Sequence, residues 1–145
     1  MLFRKLELED YHRGFINLLS QLTTTGSITF EEFKKNFEQI EKLNNVHIIV
    51  ICYKDHIIGT GTLVIEPKFI HKCSYVGHIE DLVIDSRYRG RGLGKKIIET
   101  LKNIAKEYHC YKIILNCSDD NVKFYETCGF KKTNNQMAIY YNKNI

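Results

Sequence analysis

The ten residues Arg87-Tyr88-Arg89-Gly90-Arg91-Gly92-Leu93-Gly94-Lys95-Lys96 limit what this chain can become more than any other stretch. They follow the apolar run Leu82-Val83-Ile84 and open an apolar-periodic segment that reaches about Tyr108. Glycines at alternate positions allow backbone conformations and close approaches that a Cβ forbids. Successive amides in such a turn can point into one concavity, at the positive end of the helix that follows. Arginines and lysines frame it. A strand, a basic glycine-rich turn and a helix together make a seat for phosphate. The competing reading is an ordinary strand-to-helix connection with solvated side chains.

Two familiar phosphate motifs do not fit. A P-loop ends in Gly-Lys-Ser/Thr, and here Lys95 is followed by Lys96, with no hydroxyl for magnesium. The dinucleotide fingerprint needs Gly-x-Gly-x-x-Gly after an early strand, whereas this motif is Gly-x-Gly-x-Gly and lies past mid-chain. A pyrophosphate on some other carrier remains.

A length of 145 residues suits one domain, 1–145, with a sizeable core. A net charge of +4 suits an anionic small substrate but falls short of a nucleic-acid binder, and no nucleic-acid partner is expected. Five cysteines without a Cys-x-x-Cys pair read as reduced structural thiols. No spacing of His, Cys, Asp and Glu suits a metal, so none is expected. The charged start Met1-Leu2-Phe3-Arg4-Lys5 is unlike a signal peptide, and no apolar run reaches transmembrane length. A cytoplasmic protein without membrane insertion is expected.

Along the chain, Phe3 to Leu8 reads as a short strand. Asp10 is placed to cap a helix bearing Tyr11, Phe15, Leu18, Leu19 and Leu22 on one face, with Gly14 as its weak point. Thr23-Thr24-Thr25-Gly26-Ser27 is a hydroxyl-rich loop. Thr29 and Glu32 form the capping box of a second helix striped by Phe30, Phe33, Phe37 and Ile40. Val46 to Tyr53 is a β-branched run fit for a strand buried on both faces. It turns at Lys54-Asp55-His56 into a strand from Ile57 to Ile65, in which Gly59 and Gly61 imply close packing. A basic irregular segment from Lys68 to Gly77 precedes the strand His78 to Ile84. After the central helix come a parallel strand, Tyr111 to Leu115, and a polar loop from Asn116 to Asn121. A short helix closes on Gly129, and two further strands are expected, one from Phe130 and one from Met137 to Tyr141.

Glu80 and Asp81 stand side by side within an apolar strand, where carboxylates are costly to bury without partners. They should face opposite sides unless a bulge intervenes. A salt bridge or a solvent-exposed strand end would explain them structurally. A site that wants negative charge, such as one for an amine, would explain them functionally, and the nearby phosphate seat favours this.

Arg89-Gly90-Arg91-Gly92-Leu93-Gly94 resembles the Arg/Gln-x-x-Gly-x-Gly/Ala motif with which the GNAT acetyltransferase superfamily holds the pyrophosphate of coenzyme A. Asn121-Val122-Lys123-Phe124-Tyr125 through Gly129-Phe130 resembles its second signature, in the right order. Gly77-His78-Ile79-Glu80-Asp81-Leu82, Cys110 to Leu115 and Thr23 to Thr29 are similar to stretches of the family within it that acetylates glucosamine 6-phosphate. The resemblance implies an α/β GNAT fold, with a mixed central β-sheet splayed between two parallel strands and about four flanking helices. It also implies acetyl-CoA as acetyl donor, an amino-sugar phosphate as acceptor in UDP-N-acetylglucosamine synthesis, and a homodimer.

Residue by residue, the resemblance gives Leu82, Val83 and Ile84 to the acetyl and pantetheine part of acetyl-CoA. Arg89, Gly90, Arg91, Gly92, Leu93, Gly94 and Lys95 go to the pyrophosphate, and Asn121, Phe124 and Tyr125 to the thiol end. The acceptor falls to Thr23, Lys68, Phe69, Ile70, His71, Glu80, Asp81 and Asn116. Tyr125 is implied as the acid toward the departing sulfur, with Glu80, directly or through water, taking the amine's proton and the Asn116 carbonyl accepting a hydrogen bond from the amine. Relatives commonly have an acid where Asn116 stands and, near the C-terminus, an arginine where Tyr140 stands. The sugar phosphate then falls to Lys68, Lys72, Lys132 or the Tyr140 hydroxyl. A GNAT enzyme for another amine, such as a protein N-terminus or a polyamine, and a non-catalytic acyl-CoA-binding module are the alternative readings.

Overall fold

The β-branched run expected as a buried strand forms the second strand of a five-stranded sheet, ordered β1-β2-β3-β4-β5. The computed structural model describes residues 1–143 and 145. The strands are β1 Leu2–Lys5, β2 Val46–Tyr53, β3 His56–Pro67, β4 Tyr75–Ile84 and β5 Cys110–Ile114. The first four pair antiparallel, and β5 lies parallel to β4. Four helices flank the sheet: α1 Phe15–Leu19, α2 Phe30–Leu43, α3 Leu93–Glu107 and α4 Val122–Thr127. This is the mixed, splayed α/β architecture that the resemblance implied.

Alternation along β2 sorts the interior into two cores. Ile49 and Ile51 join Leu63, Ile65 and Ile79 beneath Ile97, Ile98, Leu101 and Ala105 of α3. Val50 joins the opposite face with Leu6, Phe15, Leu18, Phe33, Ile57 and Val83. The crossover helix α3 therefore covers one face, and α1 with α2 the other. Thr29 caps α2, accepting from the Glu32 N–H at 3.2 Å while the Glu32 side chain returns to the Thr29 N–H, as the capping box predicts.

Asp10 behaves differently from its expected role. Gly14, at φ 86°, divides the first helical segment into a 3₁₀ turn, Leu8–Arg13, and α1. Glu7 occupies the cap position, and Asp10 is fully buried as the hub of an ion-pair network. Arg4 donates to both of its oxygens at 2.8 Å and Arg13 donates at 3.0 Å. Burial pushes the Asp10 carboxyl up, but these bonds and the Glu7 N–H together hold it below the ordinary range. A capping signal cannot announce a buried counter-ion shared by an arginine six residues before it and another three residues after it.

The segment after β3 is a tight turn in which His71, Lys72 and Cys73 all adopt left-handed φ, between 50° and 59°. Among the described residues, the two strands expected after Gly129 are absent. From Lys131 to Lys143 the chain is exposed and irregular, with Met137 93% and Ile139 81% accessible. A strand needs an edge to pair with, and this segment meets none in its own chain.

Within β4 the register against β3 slips, because Thr60 faces Val83 while Thr62 faces Glu80. Asp81 and Leu82 together oppose the single residue Gly61, and Asp81 takes φ 52° to allow it. Gly61 is crowded from above. A Cβ there would lie 2.6 Å from Ile97 Cγ2 and 3.2 Å from Leu82 Cδ1. Gly61→Ala should therefore lower stability by about 1–3 kcal/mol through overpacking, read as a lower urea midpoint with unchanged slope. An unaltered midpoint would contradict this account of the bulge.

Candidate active site

Parallel pairing between β4 and β5 ends at His78 and Ile114. β4 continues to Ile84 with only β3 beside it, so its edge from Ile79 to Ile84 has no strand partner toward β5. The two strands part into a V. The bulge lies on one wall, and Glu80 and Asp81 are both solvent-exposed rather than on opposite faces. The extra residue of the bulge is what turns both carboxylates outward.

The glycine-rich turn closes one end of the V. The Arg89 Nε donates to the Ile84 carbonyl at 2.9 Å, which ties the turn to the last residue of β4. Gly90 and Gly92 adopt φ 77° and 76°, and Gly92 is the N-cap of α3. The first helical bond runs from the Lys96 N–H to the Gly92 carbonyl, so the amides of Leu93, Gly94 and Lys95 are open at the helix N-terminus. Leu93 itself is buried in the core and can serve a ligand only through its backbone. Arg91 lies over the Tyr88 ring at 5.2 Å. A Cβ on Gly94 would stand 3.2 Å from Phe124 Cζ and 3.7 Å from Ile84 Cγ1, so Ile84, Gly94 and Phe124 converge.

α4 forms the other wall. Tyr125 is half-buried against Phe124 and Phe130, with ring centroids at 5.0 and 6.1 Å. Burial, then the neighbouring Cys117 and Cys128, push its hydroxyl up to about 12. Asn121 precedes α4 and donates to Ser118 Oγ at 3.3 Å. Asn116 is exposed just beyond β5. A cleft of about 1380 Å³ is bounded by α3, β5, α4 and residues 130–136. Of the expected site residues Asn116, Tyr125 and Lys132 line it.

The acceptor residues are less tightly assembled. Lys68 Nζ pairs with Glu66 at 3.3 Å, and Glu66 also meets His78 Nε2 at 2.9 Å. His78 and then Lys68 hold the Glu66 carboxyl below its usual range. His71 packs on Tyr111 of β5 at 4.2 Å, whereas Phe69 is 95% and Ile70 56% exposed. Thr23 lies in the strap between α1 and α2, two residues after Gln21, whose Oε1 accepts from the Ser86 N–H at 2.9 Å.

Three residues that matter here escaped the sequence reading: Gln21, Glu66 and Asp85. Asp85 had the most visible signal, an acid directly before Ser86 at the end of an apolar strand. It is 5% exposed and caps the turn Ser86–Tyr88 by accepting from the Arg87 N–H at 2.9 Å. The Arg87 guanidinium folds onto it at 2.8 and 3.1 Å, so Arg87 closes the turn rather than framing the phosphate seat. Arg87 foremost holds the Asp85 carboxyl at about 2. A depressed carboxyl stabilises the fold fully above its unfolded value, near 4. That contribution is lost as pH falls through about 2. The Arg87 amide resonance should accordingly titrate with a midpoint near 2. A midpoint near 4 would mean that the pair does not form.

The model of the acetyltransferase (GNAT) family matches residues 10–130. A protein of Arabidopsis thaliana named glucosamine 6-phosphate N-acetyltransferase is 47% identical over 142 residues, covering 96% of this chain and 95% of its own length. One of the same name from Dictyostelium discoideum is 44% identical over 141 residues, covering 95% and 89%. The crystal structure of the Arabidopsis enzyme superposes with a TM-score of 0.95, covering 97% of this chain and 98% of that one. With a strand pair parted above a glycine-rich helix start, and a match over most of its length, the chain belongs to the GNAT acetyltransferase family.

Proposed function

We propose that this chain transfers the acetyl group of acetyl-CoA to the 2-amino group of glucosamine 6-phosphate. The product is N-acetylglucosamine 6-phosphate, the precursor for UDP-N-acetylglucosamine. The observation that carries the reading is the V between β4 and β5, with an unpaired strand edge on one side, Phe124 of α4 meeting Ile84 and Gly94, and open helix amides at its end. The substrate class comes from the names of relatives that match along nearly the whole chain.

The residues present fit acetyl-CoA. Arg89, Gly90, Arg91, Gly92, Leu93, Gly94 and Lys95 offer amides and positive charge to a pyrophosphate. The free edge of Leu82, Val83 and Ile84 offers backbone groups to the pantetheine arm, and Asn121, Phe124 and Tyr125 line the thiol end. Acetyl-CoA supplies an already activated thioester. The protein's work is to hold the amine against it, take up the ammonium proton and donate hydrogen bonds to the developing charge. Glu80, directly or through water, receives the proton, while the Asn116 carbonyl accepts a hydrogen bond from the amine and orients it. Thr23, Lys68, Phe69, Ile70, His71 and Asp81 complete the acceptor side, with Lys72, Lys132 and Tyr140 as further phosphate ligands.

The acidity of Tyr125 refines its part. A hydroxyl near 12 keeps its proton throughout the neutral range. A thiol ionises near 8.5, so full transfer from tyrosine to the departing thiolate is uphill by roughly three powers of ten. Tyr125 thus stabilises the leaving sulfur chiefly as a hydrogen-bond donor.

A second copy of this chain suits the exposed tail. Met137, Ile139, Tyr140 and Tyr141 face solvent, and the outer edge of β5 presents Tyr111 and Ile114, 38% and 39% exposed. A homodimer in which these surfaces are covered accounts for both. All five cysteines are free thiols, which suits a reducing cytoplasm.

Release of free coenzyme A should be fastest with glucosamine 6-phosphate when compared with glucosamine, glucose 6-phosphate and spermidine. Equal rates across the panel would defeat the substrate assignment. Tyr125→Phe should lower turnover about ten- to a thousand-fold with little change in acetyl-CoA affinity, and wild-type turnover in that variant would remove Tyr125 from the chemistry. Light scattering should return twice the 17.0 kDa of one chain, and a monomer would refute the dimer.

A further inference from the structure

The loop between α1 and α2 and the turn that opens the phosphate seat are far apart in sequence, yet one side chain joins them. The strap runs from Ser20 to Thr29. At its far end the Tyr11 hydroxyl donates to the Ile28 carbonyl at 2.8 Å. At its near end, Gln21 Oε1 accepts from the Ser86 N–H at 2.9 Å, across 65 residues of sequence. The same side chain, after Arg87, helps to hold the Asp85 carboxyl low. Gln21 therefore holds the first position of the turn Ser86–Tyr88, which leads directly into Arg89 and the glycines.

We propose that Gln21 is a positioning residue that couples the two substrate sites, so that filling the coenzyme A seat orders the strap carrying Thr23 and tightens binding of the amino-sugar phosphate. This rests on the acceptor and donor assignments made above. The strap between its two anchors is almost wholly solvent-exposed, with Leu22, Thr23, Thr24, Gly26 and Ser27 all open to water. A segment with so few packed contacts opens easily. The turn, by contrast, is stiffened by Asp85. Its N–H donates to the Ile58 carbonyl of β3 at 2.8 Å, and its carbonyl accepts from the Tyr88 N–H at 2.8 Å. A ligand bound to the amides after Arg89 stabilises the turn, and Gln21 is the hydrogen-bonded route by which that order reaches the strap. Linkage makes the effect reciprocal, because a bound phosphosugar must raise affinity for coenzyme A by the same factor.

Ser86→Pro isolates the contact. Proline deletes the one N–H that Gln21 accepts and is favoured at the first position of a helical turn. The residue before it, Asp85, already has φ −51° and ψ 131°, the extended shape that precedes proline. Calorimetric titration of the whole protein would measure glucosamine 6-phosphate binding with and without saturating coenzyme A. The wild type should bind the sugar more tightly when coenzyme A is present. Ser86→Pro and Gln21→Ala should each shrink that enhancement by roughly two- to tenfold, the worth of one hydrogen bond. The double variant should shrink it no further than Gln21→Ala alone. A purely structural role would lower the melting temperature and leave the enhancement as it was. Phosphosugar binding that ignores coenzyme A in the wild type, or an enhancement intact in Ser86→Pro, would overturn the coupling. Failure of the wild type to bind glucosamine 6-phosphate at all would instead remove the acceptor assignment, and the coupling with it.

Discussion

The separation of β4 from β5 after His78 and Ile114 is the constraint on which the rest of this structure depends. A parallel ladder that continued to Ile84 would satisfy every backbone group of β4 and leave no opening. The bulge at Asp81–Leu82 works in the same direction, because an extra residue increases local twist and bends the strand that carries it. Gly61 makes the bulge possible, since only a residue without a Cβ lets Leu82 and Ile97 meet above it. α3 is thereby seated close to the sheet, and its N-terminal amides face the mouth of the opening. Packing in the core and the placement of the glycine-rich turn follow from one local irregularity.

Charge is managed with similar economy around the V. Several of the cations near it are occupied: Arg87 by Asp85, Lys68 by Glu66, and Arg89 partly by the Ile84 carbonyl. These pairs give the turn and the β3–β4 connection defined shapes before any ligand arrives, which reduces the ordering that binding must impose. They also show why a count of basic residues overstates the charge a ligand meets. Lys68 sits between a carboxylate that holds it and the phosphate it is proposed to bind, so Glu66 sets where that lysine can reach.

Much of the fold could be read from residue patterns because the patterns report local preferences. The β2 run, the Thr29–Glu32 capping box and the helix opened by the glycine-rich turn depend on neighbours within a few residues, and all three stand where the sequence placed them. Asp10 did not, since an acid before an apolar stripe signals a cap equally well whether or not two arginines wait to bury it. The tail did not either. Its alternating Met137, Ile139 and Tyr141 read as a strand, but a strand is a relation between two segments and this chain offers it no edge. At the site, the convergence of Ile84, Gly94 and Phe124 followed from two short motifs, while Asp85 and Gln21 act through contacts that no short motif records.

The amino-acid sequence by itself determined the class of the protein: a glycine-rich basic turn opening a helix, an Asn…Phe-Tyr…Gly-Phe signature after a parallel strand, and apolar periods that can close only as an α/β sheet. Those are properties of spacing, and spacing survives without coordinates. Only the tertiary structure decided that Glu80 and Asp81 share the solvent side, that Arg87 turns away from the phosphate seat, and that the strap bearing Thr23 is tied to that seat. Each is set by residues distant in sequence competing for the same hydrogen bonds and the same volume, and that competition is resolved only when the chain has folded.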